Sequence, residues 1–198
     1  MSQSHSPFLS EYHQRLTGLV RASPLLMEAL RAVRALGLNP WCIGAGAVRS
    51  LVWDDLHGFA EPTPLDDVDV VYFDPTVEGA AHDAVLETRL RHAMPSVAWE
   101  VTNQATVHHW FASHLGLQVP PLKSLEDGVG TWPETATCVG VFLRADDSIG
   151  VVAPHGLDDL FQLVVRHNPV RADAQTYRER VASKRFAERW PLLSIRPA

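Results

Sequence analysis

Cysteine is scarce in this chain, with two in 198 residues, and both lie in apolar, β-rich stretches, Cys42 in "WCIGAG" and Cys138 in "TCVGVFL". Each is expected to be a small buried thiol, so a disulfide framework is not what holds the fold together. Long hydrophobic runs are also missing. No window approaches the roughly 18 apolar residues that a membrane span needs, and "MSQSHSPFLSEYHQ" has neither the basic nor the apolar region of a signal peptide. A cytoplasmic protein with no membrane partner is the expectation. An excess of basic charge is the third absence: 17 Lys and Arg stand against 23 Asp and Glu, a net charge of −6. Global attraction for polyphosphate is therefore lacking, and a small substrate suits the balance better than nucleic acid. Repeats and low-complexity tracts are absent too.

What is present is an ordinary globular composition, 46% hydrophobic and 20% charged, in a chain long enough to bury a core. The order of elements reads as mixed α and β. Helices are expected over 8–21 and, with Ser23 as N-cap and Pro24 at the first position, over 24–36. A short strand, Trp41 to Ile43, then runs through a small-residue turn into a helix that Gly58 ends. After the loop "FAEPTP" come a strand in "LDDVDVVYFD", a helix over 78–93, a strand over 97–102 and a helix over 103–115. Ser124 is expected to cap a short helix, and residues 137–153 to form a hairpin turning at "ADDS". An amphipathic helix over 157–167 and a basic helix near 176–189 complete the expectation.

The chemistry concentrates in "LDDVDVVYFD". Strands deplete Asp, yet this one begins with Asp66, Asp67 and Asp69. Residues two apart on a strand face the same way, so Asp67 and Asp69 project side by side. Two anions that close raise a pKa or call for a hard divalent cation. Upstream, Gly44, Ala45, Gly46 and Ala47 join a strand end to a helix start, where free N–H groups and the helix dipole favour an anion. Arg49, in the first turn of that helix, can add a charge-assisted contact. The turn lacks the Gly-Lys-Ser/Thr of a P-loop and is a poor dinucleotide fingerprint. By themselves the pair also fits a solvated turn and the glycines a tight connection. Together they make a phosphate cradle beside a metal site.

The combination of "IGAGAVRS" with "LDDVDVVYFD" resembles the nucleotidyltransferase superfamily that includes DNA polymerase β and the tRNA CCA-adding enzymes, with their Gly-Gly/Ser turn and Asp-h-Asp-h strand. More closely, the chain resembles a family of small bacterial nucleotidyltransferase-like proteins, through "DVDVVYFD", "WEVTNQATVHHW", "WPETATCVGV", "APHGLDDLFQLVVRHNP" and "ERWPLLSI". The resemblance implies an α+β fold, a nucleotidyltransferase-like mixed β-sheet flanked by helices, with an additional C-terminal hairpin and helices. It implies one domain over 1–198, with a catalytic core over about 20–115 and an extension over about 116–198 packed on it. It also implies a third carboxylate on a later strand, for which Glu100 in "AWEVT" has the right facing. Asp67, Asp69 and Glu100 would then be both the catalytic and the metal set, holding Mg2+ or Mn2+ in a two-metal transfer of a nucleoside monophosphate from an NTP such as ATP. Gly44, Ala45, Gly46, Arg49 and Lys184 would bind the nucleotide. The sequence departs from the superfamily pattern at Ala45 and at Ser50, which stands where CCA-adding enzymes have an acid after Arg. A small-molecule or protein acceptor is therefore expected in place of tRNA. A catalytically silent nucleotide-binding or regulatory module of the same fold is the alternative, and oligomeric state is left open.

Other polar residues have plainer readings. His108 and His109 are neighbours on a helix and point about 100° apart, so they are not expected to share an ion. Asn103 and Gln104 follow the Glu100 strand and are candidates for substrate contact. Asp158 and Asp159 suit the first turn of a helix. Arg178, Arg180, Lys184, Arg185 and Arg189 form a basic stripe, in which Arg180 or Lys184 could reach a triphosphate. Trp190 and Leu192 are expected to pack that segment onto the core.

Overall fold

The structure is a computed structural model that describes residues 7–77, 80–116 and 118–198. The first two residues of the helix expected over 78–93 lie outside the described residues, as do the first six of the chain. Two helices, α1 (Pro7–Ala22) and α2 (Pro24–Arg34), lead into strand β1 (Trp41–Gly44) and helix α3 (Ala45–His57). Then come β2 (Val68–Tyr72), α4 (Ala80–Ala93), β3 (Trp99–Asn103) and α5 (Val107–Leu115). After α6 (Leu125–Val129) and a 3-10 turn (Thr135–Thr137), β4 (Gly140–Leu143) and β5 (Ile149–Val152) form the hairpin. The remaining elements are α7 (Asp158–Phe161), β6 (Val164–Val165), α8 (Ala174–Ser183), α9 (Phe186–Arg189) and β7 (Ser194–Ile195).

Local signals act where they were expected. Ser23 accepts a hydrogen bond from Leu26 N, and Pro24 fills the first helical position, where no N–H is needed. Gly58 ends α3 in the left-handed conformation, φ 66°. Ser124 accepts from Asp127 N at the start of α6.

Five strands form one mixed sheet in the order β3-β2-β1-β4-β5, with β2 and β3 parallel and the other neighbours antiparallel. Period-2 alternation divides β2 between two environments. Val68, Val70 and Tyr72 join Trp41, Ile43, Trp99 and Val101 in the main core, against the helices. Val71 and Cys42 point to the opposite face, which Leu125 and Val129 of α6 cover only in part. The uncovered remainder of that face is where polar side chains can meet solvent. Both cysteines are free and buried.

Two expected helices are corrected. The segment over 157–167 stops being helical after Phe161. Leu163 takes φ 58°, and the β-branched pair Val164 and Val165 becomes β6, parallel to β7. The basic helix near 176–189 is two helices, because Arg185 adopts φ 52° between α8 and α9. Trp190 is fully buried as expected, but Leu192 is 63% exposed and packs nothing onto the core.

Asp54 ties these parts together. Its carboxylate accepts from Thr63 N and Oγ1 at 2.7 and 2.6 Å and from Trp190 Nε1 at 2.7 Å. One side chain on α3 thus anchors both the loop leading into β2 and the end of α9. Around it, Trp53 packs edge to face on Phe186 and Trp190, which are tilted against each other, with centroids 5.2 to 6.3 Å apart. Burying each ring contributes on the order of 2 to 3 kcal/mol.

Candidate active site

Register decides where the carboxylates go. Asp69 pairs directly with Glu100 across the parallel β2–β3 ladder, and paired residues of a parallel ladder share a face, with backbones about 4.8 Å apart. Asp67, two residues before Asp69, points the same way. Thr102, paired with Val71, continues that face. All five side chains line one cleft of about 600 Å³. Asp66 lies one residue out of phase and is exposed.

The other wall is cationic. Arg180, Lys184 and Arg189 enter the cleft from α8 and α9, and Arg49 from α3. Arg178 and Arg185 of the same stripe face solvent, held by Gln175 and Glu188. Arg180 is aimed by Glu134, a fully buried carboxylate 2.8 Å from its Nε that also accepts from Thr137 Oγ1. Lys184 and Arg189 each lie 3.6 Å from the Asp66 carboxylate. These pairs are long and partly exposed, so each contributes little, about 0 to 1 kcal/mol.

Arg49 is deeper than its place in a first turn suggests. It is 4% exposed, and its guanidinium sits 4.9 to 5.6 Å from the ring centroids of Trp53, Phe186 and Trp190. Its Nε and Nη1 have no hydrogen-bond partner. Burial pulls its pKa down to about 10, against a smaller upward pull from Glu134. A guanidinium stays charged across ordinary pH, so this is a buried cation held by π faces with no anion to bond.

The small-residue turn stands beside it. Gly44 is required sterically, since a Cβ there would lie 2.5 Å from the Trp132 ring. Ala45 adopts φ 46°, a left-handed conformation that costs a non-glycine residue about 1 kcal/mol. Its N–H is already bonded to Val139 O, which leaves the N–H groups from Gly46 onward for a ligand. A methyl on Gly46 would sit 3.6 Å from Arg49 Nη2 and 3.8 Å from Asp67 Oδ1. Turn, guanidinium and first carboxylate therefore converge on one spot.

Electrostatics single out Asp69. Its carboxyl is pushed up to about 6, first by burial and then by Asp67 and Glu100, with Arg180 and Lys184 opposing. Beneath it the Cys42 thiol is raised as well, by burial and by Asp69. Among the described residues, no group of three or more His, Cys, Asp or Glu side chains gathers tightly enough to hold a metal ion unaided. A hard divalent cation needs less, because one or two carboxylates commonly hold it while water and substrate phosphates complete the shell. Asp67 and Asp69 form such a partial donor set.

The remaining candidates divide. Asn103 is structural: its side chain bonds Asp74 N and O, Val77 O and Ala105 N at the end of β3. Gln104 does line the cleft, near Trp110 and Trp132. His108 and His109 lie on α5 with ring centroids 3.9 Å apart, and burial lowers the His108 pKa. Asp159 bonds Arg166 and Thr135, which pins α7 to its surroundings. Sequence reasoning missed Glu134, whose partner lies 46 residues downstream, at Arg180.

No curated protein matches the chain. A solved structure described as revealing a CCA-adding enzyme head domain superposes with a TM-score of 0.79 at 29% identity, covering 93% of this chain and 96% of that one. The Bacillus stearothermophilus CCA-adding enzyme in complex with CTP is 18% identical with a TM-score of 0.49, over 88% of this chain and 42% of that one. A tRNA-processing enzyme in an apo form gives 19% and 0.47, over 85% and 44%. The family model described as nucleotidyltransferase matches residues 31–195, which include every carboxylate and cation of the cleft. The chain belongs to the nucleotidyltransferase family.

Proposed function

We propose that this cleft transfers a nucleoside monophosphate from an NTP to a hydroxyl acceptor, a reaction of the EC 2.7.7 type, with a small molecule or protein as acceptor. The observation that carries the reading is the opposition of Asp67, Asp69 and Glu100 to Arg49, Arg180, Lys184 and Arg189 across one cleft. Anions of the polyphosphate suit the second wall. Divalent cations, Mg2+ or Mn2+, fit the first: one on Asp67 and Asp69 and a second shared with Glu100 would neutralise phosphate oxygens and acidify the acceptor hydroxyl.

The chain's own groups do the rest. N–H groups at the open first turn of α3, from Gly46 onward, donate to phosphate oxygens, aided by the helix dipole. Arg49 gains the anion that its buried guanidinium lacks, and Arg180, held by Glu134, supplies a second charge-assisted donor. Lys184 and Arg189 exchange the exposed Asp66 for the more highly charged triphosphate tail. In the transfer, the bond between the acceptor oxygen and the α-phosphorus forms as the bond to the bridging oxygen breaks. Pyrophosphate leaves, and the hydroxyl proton passes to Glu100.

The test is incubation with Mg2+ or Mn2+ and each α-labelled NTP, with cell extract as acceptor. Labelled product and released pyrophosphate are expected, and both should disappear in Asp69→Ala. Equal traces from wild type and variant would remove the enzyme reading, and nucleotide binding without turnover would leave a binding module.

A further inference from the structure

A second cavity, about 730 Å³, opens beside the cleft between α1, α2, α3 and the loop before β2. Its character is opposite. Leu26, Leu51, Phe59, Leu65 and Val97 give it a mainly apolar lining, and among the described residues no Lys, Arg or His reaches it. Its volume lies in the ordinary range for a small-molecule pocket, about 300 to 1,000 Å³. Leu25 and Phe59 of the lining are 48% and 42% exposed, so apolar surface continues to its solvent side.

The two cavities meet at three residues, Ser50, Leu65 and Asp67. Ser50 is 2% exposed, and its Oγ has no hydrogen-bond partner. A buried hydroxyl without a partner costs free energy, so one positioned at a junction between two cavities is a polar group awaiting a ligand. Two carboxylates of the lining are already engaged: Asp54 accepts from Thr63 and Trp190, and Asp55 pairs with Arg15 at 2.8 Å.

We infer that this cavity is the acceptor site, and that the acceptor is an unphosphorylated alcohol of mainly hydrocarbon surface whose hydroxyl passes Ser50 to reach Asp67. The inference rests on the proposed nucleotidyl transfer for the word acceptor, while the cavity's ligand class stands without it. The lack of a cation excludes phosphate-bearing acceptors, nucleic acid included, because nothing there replaces the hydration of a phosphate. Carboxylates in the lining repel anions further. Ser50 supplies the polar contact that orients the hydroxyl.

The test separates the cavity from the chemistry. 3-Phenyl-1-propanol and its phosphate ester serve as probes, with binding to the full chain read by ligand-observed NMR. Affinity for an NTP in Mg2+ is measured alongside. The alcohol should bind and the ester should not. Ala60→Trp, which adds bulk on the exposed loop of the lining, should abolish alcohol binding while NTP affinity changes less than twofold. Ser50→Ala should weaken the alcohol by about two- to tenfold without lowering melting temperature, since the hydroxyl bonds nothing in the protein. No alcohol binding, preference for the ester, or equal binding to Ala60→Trp would overturn the inference. Alcohol binding as described, without nucleotide incorporation from labelled NTP, would defeat the transfer reading and the acceptor role while the cavity's ligand class stood.

Discussion

Replacing Asp69 by Asn should stabilise the metal-free protein at neutral pH. The Asp69 carboxyl is raised from 3.8 to about 6 by burial and by Asp67 and Glu100. A rise of that size is worth about 3 kcal/mol. Because the side chain keeps some contact with solvent, screening brings this to about 1 to 2 kcal/mol. The sign follows from proton linkage: the folded state holds the proton more tightly than the unfolded state, so stability falls as pH rises from about 4 to 6 and the full penalty applies above 6. Asn removes that penalty. For a chain of this length, the gain corresponds to about 3 to 6 °C in melting temperature. Thermal melts in EDTA at pH 7.5 and 4.5 measure it, and the gain should shrink by about two thirds at the lower pH. Mg2+ should then raise the melting temperature of wild type at pH 7.5 and leave Asp69→Asn unchanged. An unaltered melting temperature at pH 7.5, or a gain that grows toward acid, would refute the account of a carboxylate stressed by its neighbours.

Other perturbations probe the remaining parts. Arg49→Met should keep the fold, since it exchanges an uncompensated buried cation for an apolar chain of similar length, but weaken NTP binding by at least tenfold in a calorimetric titration. Glu134→Gln should lower stability by about 2 kcal/mol in urea unfolding and also weaken NTP binding, because Arg180 loses its 2.8 Å partner. Gly44→Ala should cost about 1 to 3 kcal/mol by the same method, through collision with Trp132. Ala45→Gly should leave stability within about 1 kcal/mol of wild type, as relief at φ 46° offsets the extra freedom of glycine in the unfolded chain.

Periodicity made the carboxylate face legible in advance. In "DVDVV" and "AWEVT" the alternation states which side chains share a side of the sheet, and the Asp69–Glu100 pairing agrees with that facing. Turn and cap chemistry at Ser23, Gly58 and Ser124 was equally local, hence equally readable. What escaped depends on distant partners. Nothing near Glu134 in "WPETAT" announces that it will be buried, because its counter-charge Arg180 arrives from α8. The apolar spacing over 157–167 suits a helix until Leu163 turns left-handed and β7 offers Val164 and Val165 a ladder. The sequence offered Arg49 as a charge-assisted contact in a first turn but not its burial, because two of the rings that enclose it come from α9 and Trp190.

That enclosure has a consequence for how the cleft is put together. Asp67 and Asp69 lie within 20 residues of Arg49, but two of the three rings around it, Phe186 and Trp190, lie 137 and 141 residues further along the chain. Without the segment that carries α8, α9 and Trp190, Arg49 would keep only the Trp53 ring, and the carboxylates of the cleft would lack Arg180, Lys184 and Arg189 opposite them. The enclosure of the guanidinium and the cationic wall therefore depend on one and the same long-range closure, the docking of that segment.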